Sequence, residues 1–254
     1  MTRTRIAMIS LFVLFSVLTS VVAGADAAAE NNRVLHVGKF SDADPADGIP
    51  SDWEPLTFEK IDAHTDYRLV DDKGTAVIRA ESDASASGLI RKVRIDPRKY
   101  PVIQWRWRAT GVYEKGDVTQ KSGDDYPARV YIAFEYDPDK VGFFERAKFK
   151  AARMLHGEYP PTGALTYIWA SNAPEGKIVS SAFTDRVSMI VVETGKEKTD
   201  TWVSESRNIL ADYRKAFGEE DPPMIRAIAI MTDSDNTGES TVSYYGDIVM
   251  KAAE

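Results

Sequence analysis

The stretch "VIQWRWRA" (residues 102–109) sets the period on which the fold is read. In an extended strand successive side chains point to opposite sides, so Ile103, Trp105, Trp107 and Ala109 share one face and Gln104, Arg106 and Arg108 the other. The stretch "ARVYIAFEYD" (128–137) repeats the arrangement, with Val130, Ile132 and Phe134 opposite Arg129, Tyr131 and Glu135. Each strand therefore has a dry side and a side of Arg, Tyr and acid.

Outward from these strands the chain is punctuated by turn clusters: "DADPADGIP" at 42–50, "DDKG" at 71, "DPRKYP" at 96, "KSGDDYP" at 121, "APEGK" at 173, "EEDPP" at 219 and "SDNTG" at 234. The runs between them are short and rich in Val, Ile, Tyr, Trp and Thr, as in many strands spaced by turns. The fold class expected is all-β, a two-sheet β-sandwich of jelly-roll type. Two segments break the pattern and predict short helical insertions. "FFERAKFKAARML" (143–155) carries helix formers, and "ESRNILADYRKAFG" places Ile209, Leu210, Tyr213 and Phe217 on one face before Gly218 and the Pro222–Pro223 stop.

The N-terminus reads as a secretory leader: Arg3 and Arg5, an apolar run from Ile6 to Val22, then Ala23 and Ala25 as an A-x-A cleavage site. Residues 1–25 are the expected signal peptide, with cleavage after Ala27 or Ala29 as close alternatives and an uncleaved anchor as the competing reading. Residues 26–40 would then hold a flexible segment and the first strand, and residues 35–252 a single sandwich domain. Such a protein is expected in the periplasm or secreted, without stable membrane insertion once the leader is gone. The sequence has no cysteine, so neither a disulfide framework nor a lipidated N-terminal Cys is available. Lys and Arg number 32 against 39 Asp and Glu, which argues against nucleic acid as a bulk partner.

Arg106, Arg108, Arg129, Tyr131 and Glu135 suit a concave polar face that binds a ligand; a ladder of cross-strand Arg–Glu pairs is the alternative. Trp169, in "LTYIWAS", and Trp202 offer stacking surfaces for sugar faces, although a buried core position is the commoner place for a Trp. Asp124 and Asp125 lie in a loop that would meet the 233–238 loop at one end of the sandwich. Asp233, Asp235, Asn236 and Asp247 raise the question of a metal. An EF-hand requires a bidentate Glu at its twelfth position, which here is Tyr244. What remain are a hairpin loop between two strands, a structural calcium site and a direct ligand site.

The segments "KSGDDYPARVYIAFE", "YIWAS", "DRVSMIVVETG", "WVSESRNILADYRKAFG" and "IAIMTDSDNTGESTVSYYGDI" together resemble a family of exported bacterial proteins known only as a domain of unknown function. The resemblance runs from about residue 35 to 250 and implies a jelly-roll domain of the galactose-binding type, with ligand sites at sheet-end loops or on a concave face. It transfers no activity.

Catalytic motifs are sparse. His36, His64 and His156 lack zinc spacing, and there is no G-x-S-x-G elbow or phosphate-cradling loop. Glu135 with Glu193 would be a carboxylate pair for glycoside hydrolysis, and Tyr131 with Arg129 a base and uronate clamp for a polysaccharide lyase. The role expected is non-catalytic recognition of a carbohydrate or other polar envelope ligand. A structural or partner-binding role toward an envelope protein stands against it, with lyase or hydrolase chemistry third.

Overall fold

A computed structural model describes residues 33–156, 159–218 and 221–253; the expected leader lies outside them. Its strands are β1 (Val34–Gly38), β2 (Glu54–Leu56), β3 (Asp66–Asp71), β4 (Ala76–Asp83), β5 (Ala86–Ile95), β6 (Val102–Ala109), β7 (Arg129–Phe134), β8 (Ala164–Ala170), β9 (Ile178–Ser180), β10 (Val187–Thr194), β11 (Val203–Asn208), β12 (Ile225–Asp233) and β13 (Ser240–Lys251). Helix α1 (Phe143–His156) lies between β7 and β8, and α2 (Ile209–Phe217) follows β11 directly, its N-terminus capped by the Asn208 side chain. Among the described residues no helix is long and apolar enough to cross a membrane.

The strands form two sheets, giving a jelly-roll-like β-sandwich. The first runs β11-β6-β13-β4-β3, with β1 beside the far end of the long β13; the second runs β2-β5-β12-β7-β8-β10-β9. Among the described pairings all are antiparallel except β8 with β10. The alternation read from β6 holds: Ile103, Trp105, Trp107 and Ala109 are buried between the sheets. They meet Leu165, Tyr167 and Trp169 of β8, with Trp105 stacked on Tyr167 at 5.1 Å and Trp107 tilted against Trp169 at 6.1 Å between ring centroids. Burying rings of this size across the interface is a principal source of its stability.

Strand β8 is buried on both sides. Its other face, with Ile168 and Ala170, packs with Val118, Tyr126, Ala173, Met189 and Val191 in a second, smaller apolar cluster. The β6–β7 connection, which carries Val118 and Tyr126, thus covers part of the second sheet's outer face. Strands β12 and β13 are joined by residues 234–239 yet belong to different sheets. The expected hairpin is therefore a crossover, since both strands satisfy period-two alternation and only their partners reveal that they do not pair. Gly238, at φ +69°, supplies the left-handed residue the crossover needs.

Two stability predictions follow from this packing. Trp169→Ala removes a wholly buried ring, together with the hydrogen bond from Nε1 to the Gly195 carbonyl; it should cost about 3–5 kcal/mol, read from urea unfolding. Glu205 sits opposite Trp105 on β11, on the same side of the sheet, and burial, reinforced by the Glu193 carboxylate, raises its pKa to about 7. A carboxyl raised in this way contributes stability below its unfolded value of 4.5 and loses it as pH rises through about 7. Glu205→Gln, permanently neutral, should be more stable than the parent above about pH 7, with the difference closing below about pH 4.5.

Candidate functional site

The outer face of the second sheet is a trough. On β12, Ile228 and Ile230 point into the core, while the register sets Ala229 between Ile90 and Tyr131, and Met231 between Gly88 and Arg129. Ala133 and Ala164 continue the row on β7 and β8. Small side chains along the middle of the sheet leave its floor low. Segments following the two edge strands form the rims: residues 57–61 after β2 and 181–184 after β9. The resulting cleft encloses about 830 Å³, and its lining includes two outward aromatic rings, Phe58 (37% exposed) and Phe183 (58% exposed). A second hollow of about 410 Å³, lined by Tyr159, Pro160, Pro161, Lys92 and Arg226, shares Leu56 and Tyr131 with the first. The two form one groove with Tyr131 at the junction.

One end of the groove is built around Arg129, which is 5% exposed. Its Nε donates to Asp233 Oδ1 at 2.7 Å, its Nη2 pairs with Asp233 Oδ2 and donates to the Asp124 carbonyl at 2.8 Å, and its Nη1 donates to the Tyr131 hydroxyl at 3.2 Å. The guanidinium also lies 4.4 Å from the Tyr126 ring centroid. Tyr131 accepts from Arg129, so its own hydroxyl hydrogen can be donated into the groove. Burial pushes the Tyr131 phenol up despite the adjacent guanidinium. Asp124 takes the Tyr126 hydroxyl on Oδ1 at 3.0 Å, and no donor among the described residues reaches its Oδ2. Burial raises the pKa of Asp124 against the lowering effect of Arg129. Asp235, partly exposed at the same end, is raised by burial and by the Asp125 carboxylate.

The two acid-bearing loops meet here. Asp125 accepts from the Asn236 backbone (3.3 Å) and side chain (3.1 Å) and from the Thr237 N–H (2.6 Å). Oxygens of Asp125, Asp233 and Asp235 lie within 4.8 Å of one another. Calcium would demand several of them at once. Asp233 is already held by two guanidinium contacts and Asp125 by three amide donors, so the donor set fits a cation poorly. Asp247 does not join them; on β13 in the first sheet, it accepts from Ser41 N–H at 2.9 Å and Ser41 Oγ at 2.6 Å.

The polar face expected from β6 and β7 is divided between the two sides of the sandwich. Arg106 and Arg108 lie on the outer face of the first sheet, Arg129 and Tyr131 on that of the second, because β6 and β7 are in different sheets. Trp202 belongs with the former: its ring lies 4.6 Å from Arg106 and 5.2 Å from Arg108, and its Nε1 donates to Asp72 at 2.8 Å. Gly246 makes room for this, since a Cβ there would fall 2.4 Å from Arg106 Nε. Trp169 is core, not a stacking surface. Glu135 pairs with Arg94 at 2.9 Å and Glu193 with Lys198 at 2.6 Å, and neither lines the cleft. A lyase would need Arg129 free for a uronate and Tyr131 easily ionised; Asp233 occupies the first and burial opposes the second. The sequence reading missed Phe58, Phe183 and the Ala floor. Alternating Ala and Ile in "RAIAIM" was the available signal for the floor; the two Phe stand singly in turn-like segments and carried none.

Residues 51–249 match the family described as "Protein of unknown function (DUF3047)", and the chain belongs to it. No curated protein matches the sequence. Solved structures similar to it include the carbohydrate recognition domain of Emp47p (9% identity, TM-score 0.45, covering 88% of this chain and 98% of that one). A family 12 xyloglucanase from Bacillus licheniformis is similar at 7% identity and TM-score 0.39, covering 79% and 99%. The glycoside hydrolase domain of Endo-D from Streptococcus pneumoniae R6 is similar at 10% identity and TM-score 0.32, over 78% of this chain but only 21% of that one. Scores of this size carry neither ligand nor reaction across.

Arg129→Ala leaves Asp233 as a buried charge without its counter-ion. It should lower stability by about 3–5 kcal/mol, measured by urea unfolding at neutral pH. Arg108→Ala, on the other face and 15% exposed at its side chain, removes a pair with Asp72 at 3.3 Å and should cost less.

Proposed function

We propose that this is an exported binding protein whose groove on the second sheet takes a carbohydrate chain. The observation that carries the reading is the groove itself: a low floor of Ala and Met, two outward Phe rings on its walls, and Tyr131 and Asp124 offering a hydroxyl donor and a carboxylate acceptor within it. Sugar rings have apolar faces that stack on aromatic planes and hydroxyl edges that need fixed donors and acceptors. Joining the two hollows through Tyr131 suits an extended chain better than a single unit. Export rests on the leader-like N-terminus, and the absence of cysteine is compatible with an oxidising compartment.

The test is isothermal titration of the protein with a panel of neutral, amino and acidic oligosaccharides. At least one class should bind, with oligomers binding more tightly than the corresponding monosaccharide. Phe58→Ala and Phe183→Ala should each weaken the binding, by up to about tenfold for a lost stacking contact. A panel with no binding, or binding unchanged in both variants, would refute the assignment.

A further inference from the structure

We infer that the Arg129 end of the groove selects positive charge, so that the glycan it takes carries free amines rather than carboxylates. The inference rests on the carbohydrate reading of the same groove. The ionisable side chains lining this end, apart from Tyr131, are Glu59, Lys60, Asp124, Arg129, Asp233 and Asp235. Arg129 and Asp233 neutralise each other through paired contacts. Glu59 and Lys60 are adjacent, exposed and opposite in sign. Asp124 and Asp235 remain; Lys121, whose ammonium lies 5.3 Å from the Phe183 ring centroid, is not among the lining residues.

Asp124 is the sharper of the two. It is 4% exposed, and its Oδ2 lacks a donor among the described residues. Asp124 lines the cleft, and a carboxylate oxygen there with no protein donor is open to a ligand N–H. The raised pKa of both acids reflects the same unfavourable surroundings. A protonated amine carries three donors and a full charge, which suits either carboxylate. A uronate would instead set a carboxylate against two others with Arg129 already engaged, a like-charge contact that discriminates against it. The hollow beyond Tyr131 is lined by Lys92 and Arg226 and by no carboxylate, so amine selection belongs to one end only. Lys92 is paired with Glu54 at 3.0 Å, and Arg226 donates to the Tyr159 carbonyl.

The experiment compares three oligomers of equal length by isothermal titration at low and high salt: fully deacetylated glucosamine, N-acetylglucosamine and galacturonate. The glucosamine oligomer should bind at least about tenfold more tightly than its acetylated counterpart at low salt, with the ratio falling as salt screens the charges. The galacturonate oligomer should bind most weakly. Asp235→Asn, at a partly exposed position that should tolerate it, should shrink the ratio; Asp124→Asn should do so further, with urea unfolding confirming that each variant is folded. Equal or tighter binding of the acetylated or uronate oligomer would overturn the charge selection and leave the carbohydrate reading standing. Binding of none of these oligomers, with the neutral panel also silent, would overturn both.

Discussion

The guanidinium of Arg129 joins the stretch of chain around its own strand to the end of β12, 104 residues away in sequence. It anchors the end of β12 through Asp233, the β6–β7 connection through the Asp124 carbonyl, its own strand through Tyr131, and the second apolar cluster through the Tyr126 ring. A buried ion pair is weak evidence of net stabilisation, because desolvation offsets much of the attraction. Its structural consequence is specificity: once Arg129 is buried, Asp233 must face it, which fixes where β12 leaves the second sheet. Around the exit is a seam of hydroxyls between the sheets. The Tyr245 hydroxyl donates to the Met231 carbonyl at 2.7 Å and lies 2.8 Å from Thr232 Oγ1, while the Tyr67 hydroxyl accepts from the Thr232 N–H at 3.0 Å and donates to the Ser87 carbonyl at 2.7 Å. These hydroxyls are thereby answered where backbone passes from one sheet to the other.

The groove and the core have the same origin. Along β12 Ile228 and Ile230 point inward while Ala227 and Ala229 face out, so the strand that thickens the core also lowers the outer floor. Residues next to the short edge strands, and not the sheet itself, then raise the rims. This separation lets the rims vary without disturbing the sandwich, and it places Phe58 and Phe183 where their exposure costs the fold little.

Much of this was legible in the sequence. Period-two alternation located β6 at its observed bounds, found β7 and β8, and sorted their inward residues; the helix-former runs located α1 and α2. Alternation identifies the side of a strand but not the sheet to which the strand belongs. That is why Arg106 and Arg108 were grouped with Arg129 and Tyr131, and why β12 and β13 read as a hairpin. Trp169 was ambiguous for another reason: β8 is covered on both sides, so neither of its faces is marked polar. Asp247, close in sequence to the acidic loop, lies within a β-bulge between Tyr245 and Ile248 on a strand of the opposite sheet. The groove itself depends on β2 and β9 being the edges of one sheet, a pairing fact that no local pattern encodes.

The acids of the two loops divide the work among themselves, and position in the fold decides which does what. Asp125, in the β6–β7 connection, is turned toward the amides of 236 and 237 and joins the two loops. Asp233, the last residue of β12, shares the outer face with Arg129 and is consumed by it. Asp235 lies two residues farther on and feels the guanidinium only at a distance, and Asp124 gives Arg129 its carbonyl while its side chain turns to Tyr126. Two carboxylates therefore build the frame and two are left at the groove. The residual negative charge at that end follows from the geometry of one arginine that has only one pair to give.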